Sequence, residues 1–315
     1  MKIGVTLSHR HLADIGVDLD KALDSLLLLS LTNVRLCCYW NEIEQTPGKY
    51  SYDNLDKIVK FCQKNKINII FALGMKAPRY PEYHLPNWAN SKVNLSRLSE
   101  IGLNQKYLFN RLSLFLEKTI NRYKGYSSIK VWQIENEPLD PSGERWLRIS
   151  EAFLNSEVRL IKSLDPKRKV ATTLWGNELG LRKMYKKVSD EVDLIGFDFY
   201  TKCPATFLKF FLRYMGPNDS LNKIKSIIEE LKLSGKKVYI AELQAEPWEP
   251  NEIFTKKYRP KSFLPADFRK NLDFAKKVGL ETVYLWGFEY WLWKLQNGDS
   301  EYWDKAREAI KEYNN

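Results

Sequence analysis

Short apolar runs alternate with amphipathic segments along the whole chain. Eight of the runs are short and rich in β-branched or aromatic residues, and several are apolar throughout, as strands buried on both faces are. They are Ile3–Leu7, Asn33–Tyr39, Ile67–Leu73, Lys130–Glu135, Lys169–Trp175, Leu194–Tyr200, Lys237–Leu243 and Thr282–Trp286. Helical patterns separate them at Asp18–Leu29, Tyr52–Lys64, Ser99–Tyr123, Gly143–Ser163, Leu179–Val188, Leu221–Leu233, Ala266–Val278 and Glu301–Tyr313. The stretches "SLDPKRK" and "LSGKK" end helices ahead of the fifth and seventh strands. Eight β-α units that open on a strand and close on a helix predict an α/β protein, a (β/α)8 TIM barrel in a single domain over residues 1–315. A doubly wound sheet would carry a Gly-rich turn after its first strand, and "TLSHRHLADIG" is not one.

Composition narrows the partners. The net charge of +11 is spread along helical segments such as "DPKRKV" and "LRKMYKK". It reads as a solvated outer face, with no basic stripe interleaved with stacking aromatics, so no nucleic-acid partner is expected. Trp, Tyr and Phe make up 13% of the chain, enough to fill a core and still floor a site that stacks on flat apolar faces. Cys37, Cys38, Cys62 and Cys203 form no CxxC, and reduced thiols in a cytoplasmic protein are expected. "MKIGVTLS" enters a strand with no signal-like apolar region, and the longest apolar run, "SLLLLSL" at 25–31, is too short to span a bilayer. No membrane partner is expected.

In such a barrel the chemistry sits at the C-terminal ends of the strands. The fourth strand runs into Glu135-Asn136-Glu137-Pro138, and the seventh reaches Glu242, with Glu246 further out. Two carboxyl groups facing each other across a barrel mouth are the apparatus of glycoside hydrolysis. One protonates the leaving oxygen, and the other attacks the sugar carbon or activates water. An acid ending "VYIAE" carries a desolvation cost unless partnered. Arg35, a guanidinium inside the apolar second strand, needs an acid in turn, and Glu242 is assigned as its partner. The sixth strand ends in Asp198 and Tyr200; the tyrosine hydroxyl suits orienting a nucleophilic oxygen. Trp286 ends the eighth strand as a platform for the apolar face of a sugar. Lys76, Arg79, His84 and Trp88 lie on a long loop after the third strand.

Two other chemistries fit poorly. His9 and His11 could begin a metal pair, but His84 is the only other histidine, so no metal and no cofactor are expected. A phosphate-binding barrel would have Gly-rich turns after strands seven and eight, where "LQAEPWEP" and "GFEYWLW" stand instead.

With these residues placed, the chain resembles the clan A glycoside hydrolases, retaining barrel enzymes with an Asn-Glu-Pro signature. "VRLCCYWNEIEQTPGKYSYDNLDKIVKFCQKNKINIIFAL" has their strand-two-to-three cadence, Trp40 included, and "IENEP" matches their acid/base motif. The resemblance spans nearly the whole chain. It implies Glu137 as general acid/base, Asn136 as donor to the sugar 2-hydroxyl and Glu242 as nucleophile held by Arg35 and Tyr200. Trp40 and Trp286 would contact the sugar, with Trp286 flooring the subsite. The chain is similar to cellulase-like family 5 and to β-galactosidase- and β-xylosidase-like families alike. It departs from them at "ALGMK" and "FDFY", where many family 5 relatives carry histidines, and at Glu135, often apolar or aromatic in relatives. Glu135 and Glu246, facing Lys76 or Arg79, could form a charged lining for an unusual sugar; salt bridges that brace the loops are the expected reading.

The implied reaction is double displacement with retention, Glu137 protonated and Glu242 ionised at rest. It requires carboxyl groups about 5–5.5 Å apart, against roughly 6.5–9.5 Å for inversion. A transglycosidase would use the same covalent intermediate, and a non-catalytic carbohydrate-binding barrel would have lost one of the carboxylates.

Overall fold

The computed structural model describes residues 1–177, 181–188, 191–207, 211–217, 220–249, 253–255 and 258–314. Eight strands form a closed barrel: β1 (Lys2–Leu7), β2 (Asn33–Cys37), β3 (Asn68–Leu73), β4 (Ile129–Ile134), β5 (Lys169–Trp175), β6 (Leu194–Phe199), β7 (Lys237–Gln244) and β8 (Thr282–Trp286). Each pairs with its neighbour in sequence, and β8 closes on β1, the strand order of a (β/α)8 barrel. Parallel registers set Val5 beside Leu285, Leu73 beside Ile134 and Gln244 beside Trp286. In β6 every residue of "LIGFDF" is buried, which is why these runs are apolar throughout instead of alternating.

One helix follows each strand: α1 (Leu19–Leu28), α2 (Asp53–Lys64), α3 (Lys106–Tyr123), α4 (Glu151–Leu164), α5 (Leu181–Val188), α6 (Leu221–Leu233), α7 (Asp267–Val278) and α8 (Glu301–Tyr313). In α2 the buried residues Leu55, Ile58, Val59 and Cys62 recur at helical spacing on one face. Burying an aliphatic side chain of this kind stabilises the fold by about 1.5–3 kcal/mol. Asp18, Ser150 and Ser220 cap α1, α4 and α6 by accepting the N–H of Lys21, Phe153 and Lys223. Gly279 takes the left-handed conformation that ends α7.

Two expected helices start late. Glu100–Ile101 and Arg148–Ile149 pair as a short parallel ribbon, so α3 begins at Lys106 and α4 begins after the Ser150 cap. Residues 179 and 180 of the expected fifth helix lie outside the described residues. A hairpin of Cys203–Phe207 with Phe211–Met215 and short helices at His9–Asp14, Trp40–Ile43, Asn87–Asn90 and Phe288–Gln296 complete the described elements. No helix among the described residues is long and apolar enough to cross a membrane. By its contacts the chain divides into two compact units: Met1–Arg35, Trp175–Leu181 and Phe197–Asn315 form one, Leu36–Leu174 and Arg182–Gly196 the other.

Candidate active site

In the first unit the chemistry gathers on Glu242. It sits near the C-terminal end of β7 with 4% of its surface exposed. Arg35, fully buried in β2, donates from Nη1 to Glu242 Oε1 at 2.7 Å. The Tyr200 hydroxyl donates to Glu242 Oε2 at 2.6 Å. Each carboxylate oxygen thus has a short bond to a donor, the arrangement in which a buried charge is tolerated. Arg35 is the partner the sequence assigned.

Tyr200 is itself fixed. Asn177 accepts its backbone N–H at 3.1 Å and donates to its carbonyl at 2.6 Å. Its ring packs on Trp175, tilted at 5.2 Å, and on Trp248, edge-on at 4.7 Å, the two indoles also meeting at 5.6 Å, and Trp248 is 42% exposed. Trp286 ends β8, is buried with a residual exposed edge, and accepts the Ala245 N–H through its carbonyl at 2.8 Å. Glu289 is buried and accepts the Ser8 N–H at 2.6 Å.

In the second unit the end of β4 makes a tight turn. Glu135 and Glu137 have φ of 54° and 46°, left-handed values that side chains other than glycine rarely adopt. Each costs of order 1–3 kcal/mol and persists only where its surroundings over-determine it. Here they do. Glu135 N–H donates to the Leu73 carbonyl at 2.9 Å, and Asn136 N–H to the Lys76 carbonyl at 2.8 Å. Glu137 N–H donates to Thr173 Oγ1 at 2.9 Å, and that hydroxyl donates onward to Asn136 Oδ1 at 3.0 Å. Thr173 therefore takes the amide oxygen and leaves the NH2 as the donating end of Asn136. Lys76 Nζ donates to the carbonyls of Glu137 and Asp140 at 2.5 and 3.1 Å. Glu137 itself is half-buried.

Behind the turn lies a second acid. Glu135 accepts the N–H groups of Met75 and Lys76 at 2.9 and 2.5 Å. Its carboxyl packs so closely on Gly74 that a Cβ there would collide with it, and Gly74 also has φ 135°. Glu157 of α4, fully buried, stands beside Glu135. Burial, and then the neighbouring Glu135 charge, push Glu157 well above the carboxylate range. Burial likewise raises Glu135, opposed by the neighbouring Glu157 carboxyl, by the N–H groups of Met75 and Lys76 and by the Lys76 charge. Both shifts favour a proton kept on the pair, and the N–H donors on Glu135 favour Glu157 as its holder.

Trp40 is a correction. It is fully buried, its indole N–H is spent on Glu44 at 2.8 Å, and its ring stacks on Phe115 at 5.6 Å. No face remains for a sugar; the short helix at Trp40–Ile43 turns the ring inward. Lys76 is not a salt-bridge partner of Glu135: its Nζ binds the carbonyls of Glu137 and Asp140 and pairs with Glu82 at 3.9 Å. Trp88 donates to the Glu44 carbonyl under the Arg111 guanidinium, and His84 Nε2 lies 3.2 Å from the Arg79 carbonyl. His9 and His11 begin the short helix capped by Ser8, and among the described residues no three His, Cys, Asp or Glu side chains are grouped to hold a metal ion. Thr173, Asn177, Glu157, Trp175 and Trp248 escaped sequence reasoning. The one available signal was "ATT" inside an apolar strand, polar side chains where burial demands a partner.

Residues 19–153 match the Glyco_hydro_42 family model, described as beta-galactosidase, a stretch that holds Arg35, Asn136 and Glu137. Among solved structures, TsXylA, an intracellular xylanase from Thermoanaerobacterium saccharolyticum solved with xylotetraose, aligns with a TM-score of 0.58 at 18% identity, over 91% of this chain and 85% of its own. Xylanase 10B from Thermotoga maritima aligns at 0.61 and 15%, over 98% and 94%. The beta-galactosidase from Rahnella sp. R3 aligns at 0.67 and 13%, over 99% of this chain but 55% of its own, so this chain spans little more than half of that protein. At these identities the structural likeness establishes the barrel.

Proposed function

We infer that the chain is a clan A glycoside hydrolase, an enzyme that cleaves β-linked O-glycosides by double displacement with retention of configuration. The observation that carries this is Glu242: a buried carboxylate at the end of β7 with Arg35 on one oxygen and Tyr200 on the other. Such a group is held and aimed, as a nucleophile has to be. The Asn136-Glu137 pair on its strained turn at the end of β4 supplies the second carboxyl.

The steps follow from these roles. A Glu242 oxygen attacks the anomeric carbon as the glycosidic C–O bond breaks, and the leaving oxygen takes the Glu137 proton. Water then gives a proton to Glu137 and attacks the same carbon, breaking the bond to Glu242. Retention requires the two carboxyl groups to act about 5–5.5 Å apart. Asn136 donates to the sugar 2-hydroxyl, and Trp286 floors the subsite. Residues 1–315 act as one catalytic domain without metal or cofactor, the partner being a carbohydrate and neither nucleic acid nor membrane. The four free thiols favour the cytoplasm.

The family match and the names of the structural neighbours direct the first substrates, aryl β-galactosides and β-xylosides, followed by β-glucosides and β-mannosides. Proton NMR of the first-formed sugar should show the β-anomer. An α-anomer as first product would overturn retention. Full turnover by Glu242→Ala on every hydrolysed substrate would overturn the nucleophile assignment.

A further inference from the structure

We infer that Lys76 and the Glu135–Glu157 carboxyl pair form a clamp that holds Glu137 in position to donate its proton. This rests on Glu137 being the acid/base. Lys76 engages the turn at four points: its N–H to the Glu135 carboxyl, its carbonyl to Asn136 N–H, and its Nζ to the carbonyls of Glu137 and Asp140. The side chain is buried, so these bonds face no competition from water. Gln133 Nε2 adds a bond to the Glu135 carbonyl at 3.0 Å.

The carboxyl pair is the other jaw. Glu135 reaches back over Gly74 to the two N–H groups that follow β3, which ties the end of β4 to the end of β3. Glu157 on α4, itself fully buried, backs the Glu135 carboxyl from behind. Lys76 and Tyr83 are the other titratable groups that face Glu135, and Tyr83 in turn faces Glu82 and Asp140. Two left-handed residues in succession across Asn136 would relax to ordinary φ once these bonds were lost, and relaxation swings the Glu137 side chain away from its present direction. Lys76 and the pair are therefore positioning residues: Lys76 binds the acid's backbone carbonyl, and Glu135 holds Lys76 in turn through its N–H.

Leaving-group dependence separates positioning from general damage. A glycoside with a 2,4-dinitrophenyl group departs without proton assistance, whereas one with a poor phenol depends on the acid. We would measure kcat/KM for wild type, Lys76→Met, Lys76→Gln and Glu137→Ala across aryl β-glycosides of graded leaving-group acidity. General-acid catalysis contributes about 100- to 10,000-fold, so Lys76→Met should lose about 30-fold or more on the poorest phenol and less than about 3-fold on the dinitrophenyl glycoside. Lys76→Gln, whose neutral amide can still donate, should fall between the two and decides the matter if the Met variant does not fold. Equal losses on all substrates would mean a merely structural lysine and overturn the clamp. If Glu137→Ala showed no leaving-group dependence, the acid/base assignment itself would fail, an outcome distinct from failure of the clamp.

Discussion

Removing Arg35 tests the ion pair on which the nucleophile depends. Its guanidinium lies 2.7 Å from Glu242, with side-chain exposures of 0% and 5%. Arg35→Met fills much of the same volume but leaves Glu242 buried with only the Tyr200 hydroxyl. Breaking a buried pair from one side costs about 3–5 kcal/mol, because the remaining charge stays desolvated. Against a typical domain stability of about 5–15 kcal/mol that is a large fraction. With a urea m-value of about 3 kcal/mol per molar, the midpoint should fall by about 1–1.7 M. Glu242→Gln alone removes the charge opposite the buried guanidinium, whereas the double variant removes both charges. The double-mutant cycle should therefore show coupling of at least about 2 kcal/mol. Equilibrium urea unfolding of the four proteins at pH 7, followed by tryptophan fluorescence, measures it. A loss under about 1 kcal/mol for Arg35→Met, or additive single effects, would refute the buried pair.

The other perturbations reach different parts of the account. Tyr200→Phe removes one charge-assisted hydrogen bond to Glu242, worth about 1.5–3 kcal/mol, so steady-state kcat/KM should drop about 10- to 100-fold, and a change under 3-fold would deny the tyrosine its role. Trp248→Ala should raise KM about 5-fold, the equivalent of about 1 kcal/mol of ring stacking, with little change in kcat; an unchanged KM would remove Trp248 from the sugar's path. The Glu135–Glu157 pair makes stability pH-dependent. Both acids sit above the ordinary value of 4.5 in the folded protein, Glu135 at about 7, so the folded state retains protons the unfolded chain releases. Their contribution is whole below pH 4.5 and falls as pH rises above it, that of Glu135 being lost as pH passes about 7. Glu157→Gln should flatten the curve of unfolding free energy over that window by about 1.4 kcal/mol per pH unit. Parallel curves for the two proteins would show that Glu157 is not titrating as described.

The barrel was legible because its signal is repeated. Eight apolar runs read from the sequence coincide with β1–β8 to within two residues at either end, since parallel strands buried on both faces leave little ambiguity. Helix starts were less legible where a local turn competed: "RLSEIGL" and "SGERWLRIS" both supply helix-like residues yet fold into the short ribbon ahead of α3 and α4. Arg35 and Glu242 announced each other, because each is a charge in an apolar strand. Trp40 misled for the opposite reason: a tryptophan after a strand end looks the same from sequence whether it faces sugar or core, and only its bond to Glu44 and its stacking on Phe115 decide the matter. Glu157 was hidden because one acid in an amphipathic helix reads as solvated, while its burial depends on Glu135 from a different element. Lys76 stood out as a loop cation, but no spacing rule says that its ammonium binds carbonyl oxygens.

The central claim is that Glu242 forms a bond to the sugar. Incubation with a 2-deoxy-2-fluoro aryl β-glycoside of the sugar that proves to be hydrolysed traps that intermediate, and peptide mass spectrometry locates it. The account predicts one fluoroglycosyl group per chain, on the peptide containing Glu242 and absent after Glu242→Ala. A label on any other carboxylate, or inactivation without a label together with an inverted product, would contradict it.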